Sequence, residues 1–198
     1  MPKNFMERIN AKPPHQPPYV IENAETLPRF KLASFLGVDW LGTPYAWISP
    51  IWILSVGELI SFLGPSKNNL GVQLLTGLGY AFLIAFSIFT HNISQIISGK
   101  IVNAPAKAVV ITATLFYQEY ADKREYPSRI HLVRAISGPL GNFLLGCGML
   151  VVYFLFGRNN FALFLAIVNL VFTLAALTPV PTMDGGEIIH ELRHWRSE

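Results

Sequence analysis

Apolar residues gather into four long runs, at 45–63, 74–94, 132–156 and 161–177, separated by polar connections. Each approaches the ~20 predominantly apolar residues that a helix needs to cross a bilayer, where an element must close its own backbone hydrogen bonds. The pattern predicts an all-α polytopic membrane protein with four transmembrane helices. Between 100 and 129 the pattern changes. The run Ala108-Val109-Val110-Ile111-Thr112-Ala113-Thr114-Leu115 is rich in β-branched residues and predicts a strand, so 100–129 forms a small β-like cytoplasmic insertion. Gly, Asp and Pro punctuate short apolar runs ahead of the first span, which predicts an extended or hairpin segment over 30–44. The chain then divides into a Pro-rich tail (1–29), this hairpin segment, a four-helix core (45–186) and a C-terminal helix end (187–198).

Composition agrees with a membrane location. Of 198 residues 52% are hydrophobic and 14% charged, whereas about a quarter are charged in soluble domains. Positive charge sets the expected orientation, because cytoplasmic flanks collect Lys and Arg. Lys3, Arg8, Lys12, Arg29 and Lys31 precede the first span, and Lys100, Lys107, Lys123, Arg124 and Arg129 lie between the second and third. The opposite connections carry Lys67 and Arg158 alone. Both termini are therefore expected in the cytoplasm. A net charge of +3 without a basic stripe leaves nucleic acid out of the expected partners. Cys147 falls inside the third span and has no second cysteine to pair with. No cleavable signal pattern appears at the N-terminus, so the first span is expected to direct insertion. The tail holds Pro2, Pro13, Pro14, Pro17, Pro18 and Pro28 with few apolar residues, a composition that does not fold alone and reads as a partner-binding surface.

The candidate chemistry starts at His91-Asn92-Ile93-Ser94-Gln95, late in the second run. It has the spacing of H-E-x-x-H, in which two imidazoles one helical turn apart bind zinc and the Glu takes a proton from metal-bound water. Here the Glu and the second His are replaced. The amide of Asn92 accepts no proton near neutral pH, and Gln95 offers a weak oxygen in place of an imidazole.

Two further motifs follow. Ser137-Gly138-Pro139-Leu140-Gly141-Asn142 resembles an A-G-P-x-x-N element, and Pro179-Val180-Pro181-Thr182-Met183-Asp184-Gly185-Gly186 resembles P-x-x-P-L-D-G-G. Together, in this order over roughly 30–193, the three motifs resemble the site-2 proteases, polytopic zinc metalloproteases that cut substrate helices within the membrane. The resemblance places the third zinc ligand on Asp184. It also implies an Asn three residues before Pro179, where this chain has Ala176. A degenerate site of His91, Asn92, Gln95, Asn142 and Asp184 results. One His and one Asp are too few protein ligands for catalytic zinc.

Several uses of these residues stay open at the level of sequence. His91 and Asp184 can be polar remnants hydrogen-bonded to each other, to Asn92 or to Asn142, or they can bind a metal loosely. His91 can also serve as axial ligand to a haem or chlorophyll-type pigment. His190-Glu191-Leu192-Arg193-His194 matches H-E-x-x-H letter for letter, but in a polar segment that reads as a solvated helix end, with a relocated zinc site using Asp184 as the alternative. Glu58 lies inside the first span, either snorkelling to the interface or paired across helices. Trp40, Tyr45, Trp47 and Trp52 suggest an interfacial aromatic belt.

The expectation is thus a pseudoprotease: a non-catalytic site-2 protease-like membrane protein without cofactor or zinc. It would act as a structural or assembly subunit among other integral membrane proteins and lipids, with respiratory and photosynthetic complexes as candidates. The alternatives are a divergent intramembrane zinc metalloprotease and a haem- or pigment-binding subunit.

Overall fold

The structure is a computed structural model that describes residues 28–64, 69–114, 116–120 and 126–195. The Pro-rich stretch 1–27, and with it the partner surface expected there, lies outside the described residues. The chain is mostly helical with one small sheet. In order the elements are β1 (Phe30–Phe35), β2 (Val38–Gly42), α1 (Ile48–Leu63), α2 (Leu70–Ile101), β3 (Ala106–Ile111), β4 (Phe116–Tyr120), α3 (Ser128–Leu155), α4 (Asn160–Ala176) and α5 (Asp184–Trp195).

Each of the four apolar runs forms a helix, but the helices differ in reach. At 32 and 28 residues, α2 and α3 are long and apolar enough to cross a membrane. At 16 and 17 residues, α1 and α4 span only about 24–26 Å at a rise of 1.5 Å per residue, short of a ~30 Å hydrocarbon core. The fourth helix stops at Ala176, where Pro179 and Pro181 remove backbone donors, and helical structure resumes at Asp184 as α5. Both pieces pack along α3. Gly146 of α3 lies against Leu170 and Ala166 of α4, whereas His131 near the start of α3 faces Glu187 of α5. The break is thus held at the level of α3 where Thr173 Oγ1 donates to the Pro139 carbonyl at 3.2 Å.

The sheet has the order β1-β2-β3-β4. The hairpin expected before the first span is present: β1 and β2 are antiparallel and turn through Leu36 and Gly37, whose φ values of 53° and 71° suit a tight primed turn. The strand expected from Ala108 ends at Ile111 and begins two residues earlier. What the pattern did not announce is the join between them, a parallel pairing of β2 with β3 across a stretch of chain that includes α1 and α2 (Asp39 with Ala108, Gly42 with Ile111). One sheet therefore gathers the hairpin and the insertion. It buries Val38, Trp40, Ala106 and Val109 against Ile96 of α2. Trp40, expected in an interfacial belt, is 9% exposed and stacks on Phe89, because the pleat turns it toward α2. Trp52 likewise packs inward with Ile53, Ala81 and Ile84, so Tyr45 and Trp47 are the two of the four aromatics that remain exposed.

Small residues let the helices approach. A side chain on Gly57 would strike the backbone of Gly77 and Ala81, and one on Gly77 would occupy the place of the Glu58 carboxylate. Glu58 therefore fills a notch in the α1–α2 interface, and its Oε2 is buried there without a hydrogen bond.

Candidate functional site

His91 and Gln95 are one turn apart on α2, so their side chains share a face. The break between α4 and α5 carries Asp184 to that face. The carboxylate sits in the first turn of α5, where the positive end of the helix dipole favours it. Gly185 and Gly186 lie within the first turn of α5. They leave room for the carbonyls of Leu177 and Val180, which would sit 2.3 Å from any Cβ at those positions.

The result is a closed triad. His91 Nε2 is 3.1 Å from Asp184 Oδ2, Gln95 Nε2 donates to Asp184 Oδ1 at 2.8 Å, and the Gln95 and His91 nitrogens are 3.2 Å apart. The His91 and Asp184 side chains are 19% and 15% exposed, so these contacts form in a largely desolvated place and are correspondingly strong. Behind the triad runs α3. Gly138 gives His91 and Gln95 their space, since a Cβ there would be 2.5 Å from His91 Nε2 and 2.9 Å from Gln95 Nε2.

Of the five residues singled out in the sequence, these three come together and two do not join them. Asn92 is 3% exposed and donates to the Ile88 carbonyl of its own helix at 2.9 Å, while its backbone carbonyl accepts from Gln118 of β4 at 3.1 Å. Asn142 is fully buried, and neither of its amide atoms has a hydrogen-bond partner. The exact H-E-x-x-H match behaves differently from a solvated helix end. Glu191 is 2% exposed with Oε1 3.2 Å from His190 Nδ1, because α5 packs on α3 rather than projecting into water. The His194 side chain lies outside what is described.

The donor set does not suit the zinc that the motifs imply. It offers one imidazole, one carboxylate and one amide, where a catalytic site needs three good ligands plus water. Gln95 also commits an amide hydrogen to Asp184.

Reasoning from sequence missed the ionisable residues beside the triad. Arg134 and His131 of α3, Tyr120 of β4 and Glu187 of α5 cluster at the sheet end of the bundle. A signal was present: Arg134 falls inside the third apolar run, and an ionisable group there is unusual enough to flag.

No family model matches the sequence, and no curated protein matches it. Among solved structures, the chain is similar to a site-2 protease from Methanocaldococcus jannaschii, with 20% identity and a TM-score of 0.61 over 82% of this chain and 70% of that one. With its apolar helices, small sheet and Asp-bearing break beside a degenerate His motif, the chain has a site-2 protease-like fold.

Proposed function

We propose that this chain is a proteolytically inactive membrane protein that uses a site-2 protease-like groove between α2, α3 and α4 to hold the helix of another integral membrane protein, as a structural or assembly subunit of a larger complex. The observation that carries the reading is Gln95. Its amide stands where a second imidazole is needed and is tied to Asp184, while Asn92 at the position of the general base is turned back onto Ile88. Reconstituted protein with a synthetic apolar helix should show photocrosslinking from positions lining α2 and α3 and no cleavage with buffered zinc. Zinc-dependent cleavage by the unmodified chain would overturn the reading.

One observation favours a second reading, a divergent intramembrane zinc metalloprotease: His91 and Asp184 remain face to face. Zinc near one equivalent in the purified protein together with peptide cleavage would select it. In the third reading, a haem- or pigment-binding subunit, the metal would have to take His91 Nε2 from Asp184 Oδ2, which lies 3.1 Å away.

The charge distribution supports a four-span arrangement with both termini cytoplasmic, in which α4 and the Pro-rich break complete the last crossing and α5 follows on the cytoplasmic side. A reporter fused after Asn159 should then read as non-cytoplasmic and one inserted after Thr114, between β3 and β4, as cytoplasmic. The reverse pattern would rule the arrangement out.

A further inference from the structure

A second set of ionisable side chains lies one turn along α5 from Asp184, and the triad makes no use of it. Glu187 of α5 faces His131 of α3, with Oε1 3.9 Å from Nδ1. Arg134, one turn further along α3, is 3% exposed; its guanidinium carbon lies 3.2 Å from the centroid of the Tyr120 ring, and its Nε and Nη1 are buried without an acceptor. Glu191, one turn beyond Glu187, is 2% exposed. Asp184, Glu187 and Glu191 thus follow one edge of α5 at spacings of three and four residues.

The balance of charge decides what this cluster can bind. Three carboxylates confront one permanent cation, Arg134, and the remaining partners are the imidazoles of His131, of His190, 3.2 Å from Glu191 Oε1, and, through Asp184, of His91. A bound anion would add to the excess of negative charge in a poorly hydrated place. A proton removes it. Every element packed on Glu187 contributes: His131 and Arg134 from α3, Tyr120 from β4 by way of Arg134, and Asp184 and Glu191 from α5 itself. We propose that this cluster is a proton-binding latch, in which protonation centred on Glu187 seats α5 against α3 and its loss loosens α5, so that pH sets how firmly Asp184 is presented to His91.

Burial is the main reason the Glu187 carboxyl is pushed up to about 7, with Asp184 and Glu191 adding to it and Arg134 opposing. The group therefore holds its proton more tightly when α5 is docked than when it is free. Docking is strongest below the ordinary carboxylate range, weakens as pH rises toward about 7, and is flat above. Because 39% of the Glu187 side chain reaches solvent, screening limits the effect to about tenfold. The latch holds whether the neighbouring site binds or cleaves.

Hydrogen exchange of full-length protein in lipid nanodiscs tests it through peptides that cover α5. After correction for intrinsic exchange, protection should fall about tenfold between about pH 5 and pH 8. Glu187→Gln, neutral at every pH, should keep its low-pH protection at the higher pH. Glu191→Gln removes a neighbouring negative charge and should move the transition to lower pH. A flat wild-type profile overturns the latch, as does an unchanged response in Glu187→Gln. Should that variant fail to fold, an unshifted transition in Glu191→Gln overturns it equally.

Discussion

Replacing Gln95 with histidine should raise the zinc affinity of the site sharply. Gln95 Nε2 already lies 2.8 Å from Asp184 Oδ1 and 3.2 Å from His91 Nε2, so position 95 points at the spot the other two share. An imidazole there would complete a two-His, one-Asp set, the number of protein ligands a catalytic zinc requires. Zinc affinity should rise by roughly 100-fold or more, since altering even the outer partners of zinc ligands moves affinity 10–100-fold. Competition with a chromophoric chelator would measure it. Adding Asp184→Asn to Gln95→His should abolish the gain. Equal zinc binding by the wild type would sink the reading of a ligand-poor site, and a folded variant with no gain would show that the triad does not converge as described. Hydrolysis is not expected from Gln95→His alone, because Asn92 still cannot take a proton and its side chain is held by Ile88.

The apolar helices, the hairpin at 30–42 and the strand at 106–111 were legible because each rests on a local signal: runs of apolar residues, a turn through Leu36 and Gly37, and a β-branched stretch. The parallel pairing of β2 with β3 was not, because register between segments so far apart in the chain depends on where α2 places them. Side-chain fate shows the same division. Trp40 has the composition of a membrane anchor, and only the pleat and Phe89 show that it is core. In the candidate site, the loss of the base and of the second imidazole could be read from Asn92 and Gln95 as letters. That Gln95 would bond Asp184 across 89 positions, while Asn142 would remain buried without partners, belongs to helix packing. The cluster around Arg134 was missed for a related reason. Its members come from three elements, and only Arg134 broke a local pattern, by placing a cation inside an apolar run.

A large loss of stability should follow a substitution that adds bulk where α3 passes behind the triad. At Gly138 a Cβ would approach His91 Nε2 to 2.5 Å and Gln95 Nε2 to 2.9 Å, and at Gly141 one would meet Ser94 Oγ at 1.9 Å. These neighbours are the ends of side chains, which ordinarily move aside. Here His91 and Gln95 are tethered to Asp184, so yielding costs their contacts as well. Gly138→Leu should therefore lower stability by about 3 kcal/mol, the upper part of the usual range for overpacking. Reversible unfolding in mixed micelles would measure it. Gly148 lies in the same helix, and a Cβ there would have nothing within 4 Å, so Gly148→Ala should instead gain about 0.5–1 kcal/mol through helix propensity. If Gly138→Leu were as stable as the wild type, α2 and α3 would not be in the close contact that shapes the site. The same contact links the two experiments. Gly138→Ala, which adds a single methyl group, should cancel the zinc affinity gained by Gln95→His, because the methyl group occupies the space that the second imidazole needs.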